Sequence, residues 1–270
     1  MRNTTVDRKH RTHILTHWFS RSNRDRLLSV LSPMLLLVLW EISARANWID
    51  TRFFPAPTEV FRAAGVMVKT GELWTNLSVS LVRIGIGFVL GAVPGILIGL
   101  AMGLFGTVRA IIQPLVDGTF PIPKIAILPL IMMIFGIGEE SKYVVIAVAV
   151  IYLVLINTAA GVRNIEQIYL DVGKNYHAGK LMMFTDVAFP GALPMIVTGL
   201  KLGMGVALLV IVAAEFVGAR SGIGYLIWSS WETFQVEHMY VGLLVSALLG
   251  FASAILLNIL EYVIIPWKRR

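Results

Sequence analysis

Six long apolar runs separated by short polar stretches set the pattern of this chain: about Leu27 to Ala46, Leu77 to Phe105, Ala110 to Phe135, Tyr143 to Val162, Met195 to Val217 and Tyr240 to Pro266. A helix needs about 20 apolar residues to cross the hydrocarbon core of a bilayer. The pattern therefore predicts an all-α integral membrane protein with six transmembrane helices: a basic tail over residues 1–26, then one transmembrane domain over 27–270. Between the first two runs, Thr58 to Leu73 places Val60, Phe61, Ala64, Met67 and Val68 near helical spacing, with Thr58 as N-cap. That segment fits either an amphipathic surface helix or an ordinary packed loop helix. The first run, with its basic flank and Ala44-Arg45-Ala46, loosely imitates a cleaved signal peptide. Its flank is long and its cleavage-like site carries an arginine, so a retained span is expected.

Composition agrees with the pattern. Of 270 residues, 57% are hydrophobic and 14% charged, against about 25% charged in soluble domains. No room is left for a large soluble catalytic domain. The 23 Lys and Arg outnumber the 16 Asp and Glu, and their placement sets topology. Fourteen fall on the side of the termini, including Arg109, Arg163, Lys174 and Lys180; five (Arg52, Arg62, Lys69, Lys142, Arg220) fall on the other side. Both termini are expected to be cytoplasmic. Nucleic-acid binding would need these charges on one exposed face, and they are spread among membrane loops. With no cysteine there are no disulfides, thiolate nucleophiles or Cys-ligated metals.

Within the runs, Gly87, Gly91, Gly95, Gly99 and Gly103 recur every four residues, a small-residue groove along which another helix can pack closely. Pro94 inside it predicts a kink. Pro121, Pro123 and Pro129 interrupt the third run and predict a broken helix, tolerated at membrane depth only against protein or a wet cavity. Lys124 sits in that break. It calls for a carboxylate partner, with Asp117 and Glu215 nearest by depth, for an anionic substrate, or for a snorkelling route. Arg83, Glu41, Lys201 and Glu261 lie nearer span ends, where snorkelling is expected. Glu215 precedes a glycine-rich turn, Phe216 to Tyr225, that is either part of a gate or plain loop geometry.

Phosphate chemistry is not encoded: Gly173 to Leu181 (GKNYHAGKL) is one residue too long for a P-loop and ends in Leu, and neither H-E-x-x-H nor G-x-S-x-G occurs. His10, His13 and His17 could share a helical face. Their Arg and Lys neighbours oppose a metal, and a lipid-facing basic tail is expected instead, with no metal site.

The segment between the fourth and fifth runs, about 163–194, is the longest connection on the side of the termini after the tail, and Tyr169 to Thr185 can form a short helix. Its residues Asp171 to Pro194 (DVGKNYHAGKLMMFTDVAFPGALP), continuing to Gly203, resemble the EAA loop of binding-protein-dependent ABC importer permeases. More narrowly, the chain resembles the nitrate, sulfonate, taurine and bicarbonate group. Supporting stretches are Phe54 to Thr58, Ser80 to Phe88, Phe135 to Lys142, Ala214-Glu215 and Gly222 to Tyr225, in that order. The family's Glu-Ala-Ala falls on Asp171, Val172 and Gly173, and its glycine on His177, with a glycine displaced to Gly179. In the family this glycine separates two short helices that insert into an ATPase cleft, so here the bend is shifted or remade.

The resemblance implies the type I ABC importer permease fold in a bacterial inner membrane. It also implies a second permease copy, identical or not, cytoplasmic ATPase subunits that bind the ATP and magnesium, an extracytoplasmic solute-binding protein, and no cofactor on this chain. On that basis Asp171, His177, Gly179, Lys180 and Phe184, within a 171–184 helix, are expected to couple to the ATPase. Asp117, Lys124, Lys201 and Glu215 are expected along the translocation path. Group members are associated with nitrate, bicarbonate, sulfonates, taurine and heterocyclic vitamin precursors; Lys124 and Lys201 lean towards a small anion, and a neutral substrate would not contradict the fold. Two rivals of other classes are an ATP-independent channel and an intramembrane enzyme. Against the enzyme, all five histidines (His10, His13, His17, His177, His238) lie outside the expected spans.

Overall fold

The computed structural model describes residues 23–179 and 182–269. The tail histidines and Lys180 lie outside them. All regular structure among the described residues is helical. The described residues form two compact units, those within 1–59 with 265–270 and those within 60–264.

In the first unit, α1 (Asn23–Arg45) presents Leu27, Leu31, Leu35, Leu36 and Leu39 at its surface, as a lipid-facing helix would. It ends in a Schellman cap on left-handed Asn47 (φ 55°), whose successor Trp48 donates to Ser43 O at 3.0 Å. The next helix, α2 (Pro57–Thr70), starts two residues earlier than a Thr58 N-cap would place it. Thr58 is not its N-cap, because both the Thr58 amide and hydroxyl donate to Glu41 (3.1 and 2.9 Å). Ala56 takes that place: its amide donates to Glu59 Oε2 at 3.2 Å, half of a capping box, and Pro57 fills the first helical position.

The second unit carries α3 (Glu72–Leu104), α4 (Gly106–Thr119), a 3₁₀ turn (Lys124–Ile127), α5 (Leu128–Phe135) and α6 (Glu139–Arg163). Then follow α7 (Gln167–Asn175), a π turn (Met183–Ala188) running into α8 (Phe189–Phe216), α9 (Ile223–Glu232) and α10 (Val236–Ile264). Among the described residues α3, α6, α8 with its π turn, and α10 are long and apolar enough to cross a membrane. α4 and residues 124–135, bent by 90° at their break, are long and apolar enough to cross only as a pair. The remaining expected span corresponds to α1. The proline-rich third run is thus broken, as its sequence predicts, whereas Pro94 lies inside an unbroken α3.

α3 and α6 form the centre, and the glycine ladder is their seam. A Cβ on Gly87 would meet Ile146 at 2.6 Å, one on Gly91 the Ala147 carbonyl at 2.5 Å, and one on Gly99 Thr158 at 2.6 Å; on Gly103 it would strike Val162. Ile146, Val150, Val154, Thr158 and Val162 are themselves four apart, so two rows of equal period interlock. On the other side α8 approaches α6 at Gly199, whose Cβ would lie 3.0 Å from Asn157 Cβ. α2 is a packed loop helix: Val60 and Met67 are buried against Ile223, Ile227 and Val241, while Phe61 and Val68 stay exposed.

Candidate functional site

Asn76, Ser80 and Arg83 occupy one face of α3 at spacings of four and three, and all three are buried. Arg83, 2% exposed, binds two carboxylates: Glu215 Oε1 on α8 at 2.7 Å, and Glu139 at the start of α6 through two contacts of 2.5 and 2.6 Å. It also donates to Ser221 O at 2.6 Å. Snorkelling is therefore the wrong account of Arg83; a span-end position does not prevent inward burial when two acids converge there. Glu215 faces the N-terminus of α9. Its Oε2 accepts from the Gly224 amide and its Oε1 from the Ser80 hydroxyl, both at 2.8 Å. The Ile223 amide donates to Ser80 Oγ and the Gly222 amide to Asn76 Oδ1, again at 2.8 Å. Three orphan amides of α9 are satisfied by α3 and α8, and a carboxylate at a helix N-terminus is favoured by its dipole. Gly222 (φ 122°) and Gly224 have no room for a Cβ, which would strike Glu215 or its backbone neighbours. The glycine-rich turn is thus clamped onto Glu215. Lys142, counted by sequence as a loop charge, is buried in the first turn of α6 and donates to Ile137 O and Gly138 O (3.2 and 2.9 Å). Polar positions 80 and 83 inside an apolar run, with Asn76 just before it, were the available signal for Asn76 and Ser80; nothing local pointed to Glu139.

The expected path residues do not come together at one site. Lys201 lines a groove of about 750 Å³ between α8 and α10, walled by Leu208, Val212, Phe216 and Leu243 with Ser246 and Ser253. At its polar end Lys201 donates to Asn258 Oδ1 at 2.6 Å and pairs with Glu261, so these two charges neutralise each other rather than snorkel apart. Asp117 is exposed on α4 and accepts from Gln113 at 2.8 Å. Among the described residues Lys124 binds no carboxylate; its ammonium donates to the carbonyls of Thr119, Phe120 and Ile122.

In the 163–194 loop the expected single helix is two. α7 ends in a Schellman cap whose left-handed position is His177 (φ 56°), with the Ala178 amide donating to Gly173 O at 2.9 Å. The bend thus sits where the resemblance puts a glycine and is made by a histidine; it has not moved to Gly179, which lacks a positive φ. Asp171 is exposed and accepts from Gln167 at 2.9 Å. Ile168, Tyr169, Val172 and Tyr176 are exposed on α7 and its end, Tyr176 by 83%. Phe184 points the other way, stacking near Phe189 (6.3 Å) and packing on the cluster of Leu100, Val162, Ala192 and Ile196. Pro190 has no amide to bond back to Asp186, consistent with the π turn there. Because a left-handed non-glycine residue is strained, His177→Gly is expected to stabilise the chain by about 1 kcal/mol. Thermal melting in detergent checks this; an unchanged or lower midpoint refutes it.

The family model of the binding-protein-dependent transport system inner membrane component matches residues 95–270. The taurine transport system permease protein TauC of Escherichia coli is 34% identical over 257 residues, 93% of each chain. The putative aliphatic sulfonates transport permease protein SsuC of Bacillus subtilis is 28% identical over 239 residues, 88% of this chain and 87% of its own. A solved inward-facing structure of the MetNI methionine ABC transporter shares the fold, with a TM-score of 0.56 at 19% identity over 72% of this chain and 95% of that one.

Proposed function

Since this chain belongs to the family of binding-protein-dependent transport system inner membrane components, the permeases of ABC importers, we propose that it passes a small sulfonate-type anion along the α8–α10 groove and couples through the loop around His177. A permease of this family has no catalytic role of its own; ATP hydrolysis belongs to a separate subunit, and the family works with ATPase and solute-binding partners. Sulfonate is the cargo because the relatives named above carry taurine and aliphatic sulfonates. Lys201 then stands at the polar end of the path, Glu215 holds one wall from behind, and Asp117 and Lys124 shape the broken helix. A second permease copy completes the path, ATP and magnesium sit on the ATPase, and the excess of basic residues on the side of the termini supports a cytoplasmic location for both.

The observation that carries the coupling role is the exposed apolar face of Ile168, Tyr169, Val172 and Tyr176 beside a fixed bend, with Phe184 anchoring the same loop among α3, α6 and α8. Exposed aromatic anchors are what a docking surface offers a partner, and Phe184 carries a push on that surface into the spans. Asp171, Gly179 and Lys180 flank the contact. Co-purification with its ATPase subunit is expected for the wild-type chain and to fall at least about tenfold for Tyr169→Asp with Tyr176→Asp. Retained association would remove this loop as the docking element. Taurine uptake in vesicles supplied with both partners tests the cargo, and uptake of a neutral heterocycle in its place would overturn the anion.

A further inference from the structure

At the break in the third crossing, Lys124 Nζ lies 3.0 Å from Thr119 O, 3.0 Å from Phe120 O and 2.9 Å from Ile122 O. The Tyr152 ring centroid is 4.2 Å from the same atom, and the Tyr152 hydroxyl is held by Thr119 Oγ1 at 2.9 Å. These carbonyls lie at and just beyond the C-terminus of α4, the negative end of its dipole. The chain turns by 90° there; Pro121 and Pro123 supply no amides to them, and the Ile122 amide reaches Thr119 O at 3.2 Å. Converging carbonyl oxygens backed by an aromatic face are what a protein offers a small monovalent cation.

We propose that the break is a monovalent-cation site whose resident ion is the tethered ammonium of Lys124, and that a small alkylammonium or potassium ion takes the site once that side chain is cut back. Three carbonyls converge on the ammonium, so Lys124 holds the bend rather than serving as an anion site. The inference rests on the geometry of the break alone and is independent of the cargo.

The test is the melting temperature of the full chain in detergent at constant ionic strength. Lys124→Ala is expected to melt about 5 °C or more below wild type. Methylammonium or butylammonium at about 50 mM recovers at least half of that loss, potassium recovers less, and bulky N-methylglucamine recovers none. Lys124→Met fills the volume without the charge; it stays low and does not respond, and the wild-type chain is indifferent to all four. Tyr152→Leu added to Lys124→Ala weakens the recovery. A Lys124→Met chain that melts with wild type overturns the proposal, as does a Lys124→Ala chain that no small cation restores. If the alanine chain is lost on extraction, methylammonium present throughout expression and extraction must restore its yield, and failure to do so counts equally against the site.

Discussion

Arg83→Met should cost the protein about 3–5 kcal/mol, enough to remove most folded chain from the membrane. The loss is large because Glu215, 1% exposed, would lose the guanidinium bonded to it, and a buried carboxylate stripped of its bonded cation is far costlier than a missing contact. Glu139 is half-exposed and can return to water, so Glu139→Gln should cost about 1 kcal/mol or less. Arg83→Met combined with Glu215→Gln should recover a large part of the loss. With its oxygen in the place of Oε2, the new glutamine still accepts from the Gly224 amide and from the Ser80 hydroxyl, which lies 3.0 Å from that position, while the uncompensated charge is gone. Fluorescence-detected gel filtration after graded heating separates the three. If the double variant were no better than Arg83→Met, the penalty would lie in lost packing rather than in charge.

Gly91→Leu is expected to abolish folded protein, and even Gly91→Ala to cost about 1–3 kcal/mol. The added Cβ would stand 2.5 Å from the Ala147 carbonyl and 3.0 Å from the Ala147 Cα, both backbone atoms of a helix held in place by α8 on its other face. Burial from water does not drive helices together inside a bilayer, so close backbone approach supplies most of the attraction between α3 and α6, and opening the seam forfeits it. Gly85, on the same helix, has nothing within 4 Å of its Cβ position. Gly85→Ala should therefore be neutral or stabilising by up to about 1 kcal/mol. Yield and melting of the two alanine variants, measured side by side, decide the matter; equal behaviour would mean that the ladder is not the seam.

The apolar runs determined the helices, their order and the membrane environment, because hydropathy and length are properties of a segment by itself. The four-residue glycine period determined which face of α3 is approached closely, and the three prolines determined that the third crossing breaks, since a missing amide and a missing Cβ act locally. The motif order in the loop and turns carried the family. Tertiary structure alone decided how charge is settled. Arg83 finds Glu139 and Glu215 across 56 and 132 residues of chain, and Lys201 reaches Glu261 across 60. Lys124 finds carbonyls only a few residues away because the bend turns them towards it. Depth in a span states what a charge costs but not what answers it. The partner depends on which helices cross and at what height, and that follows from the interlocked packing of α3, α6 and α8.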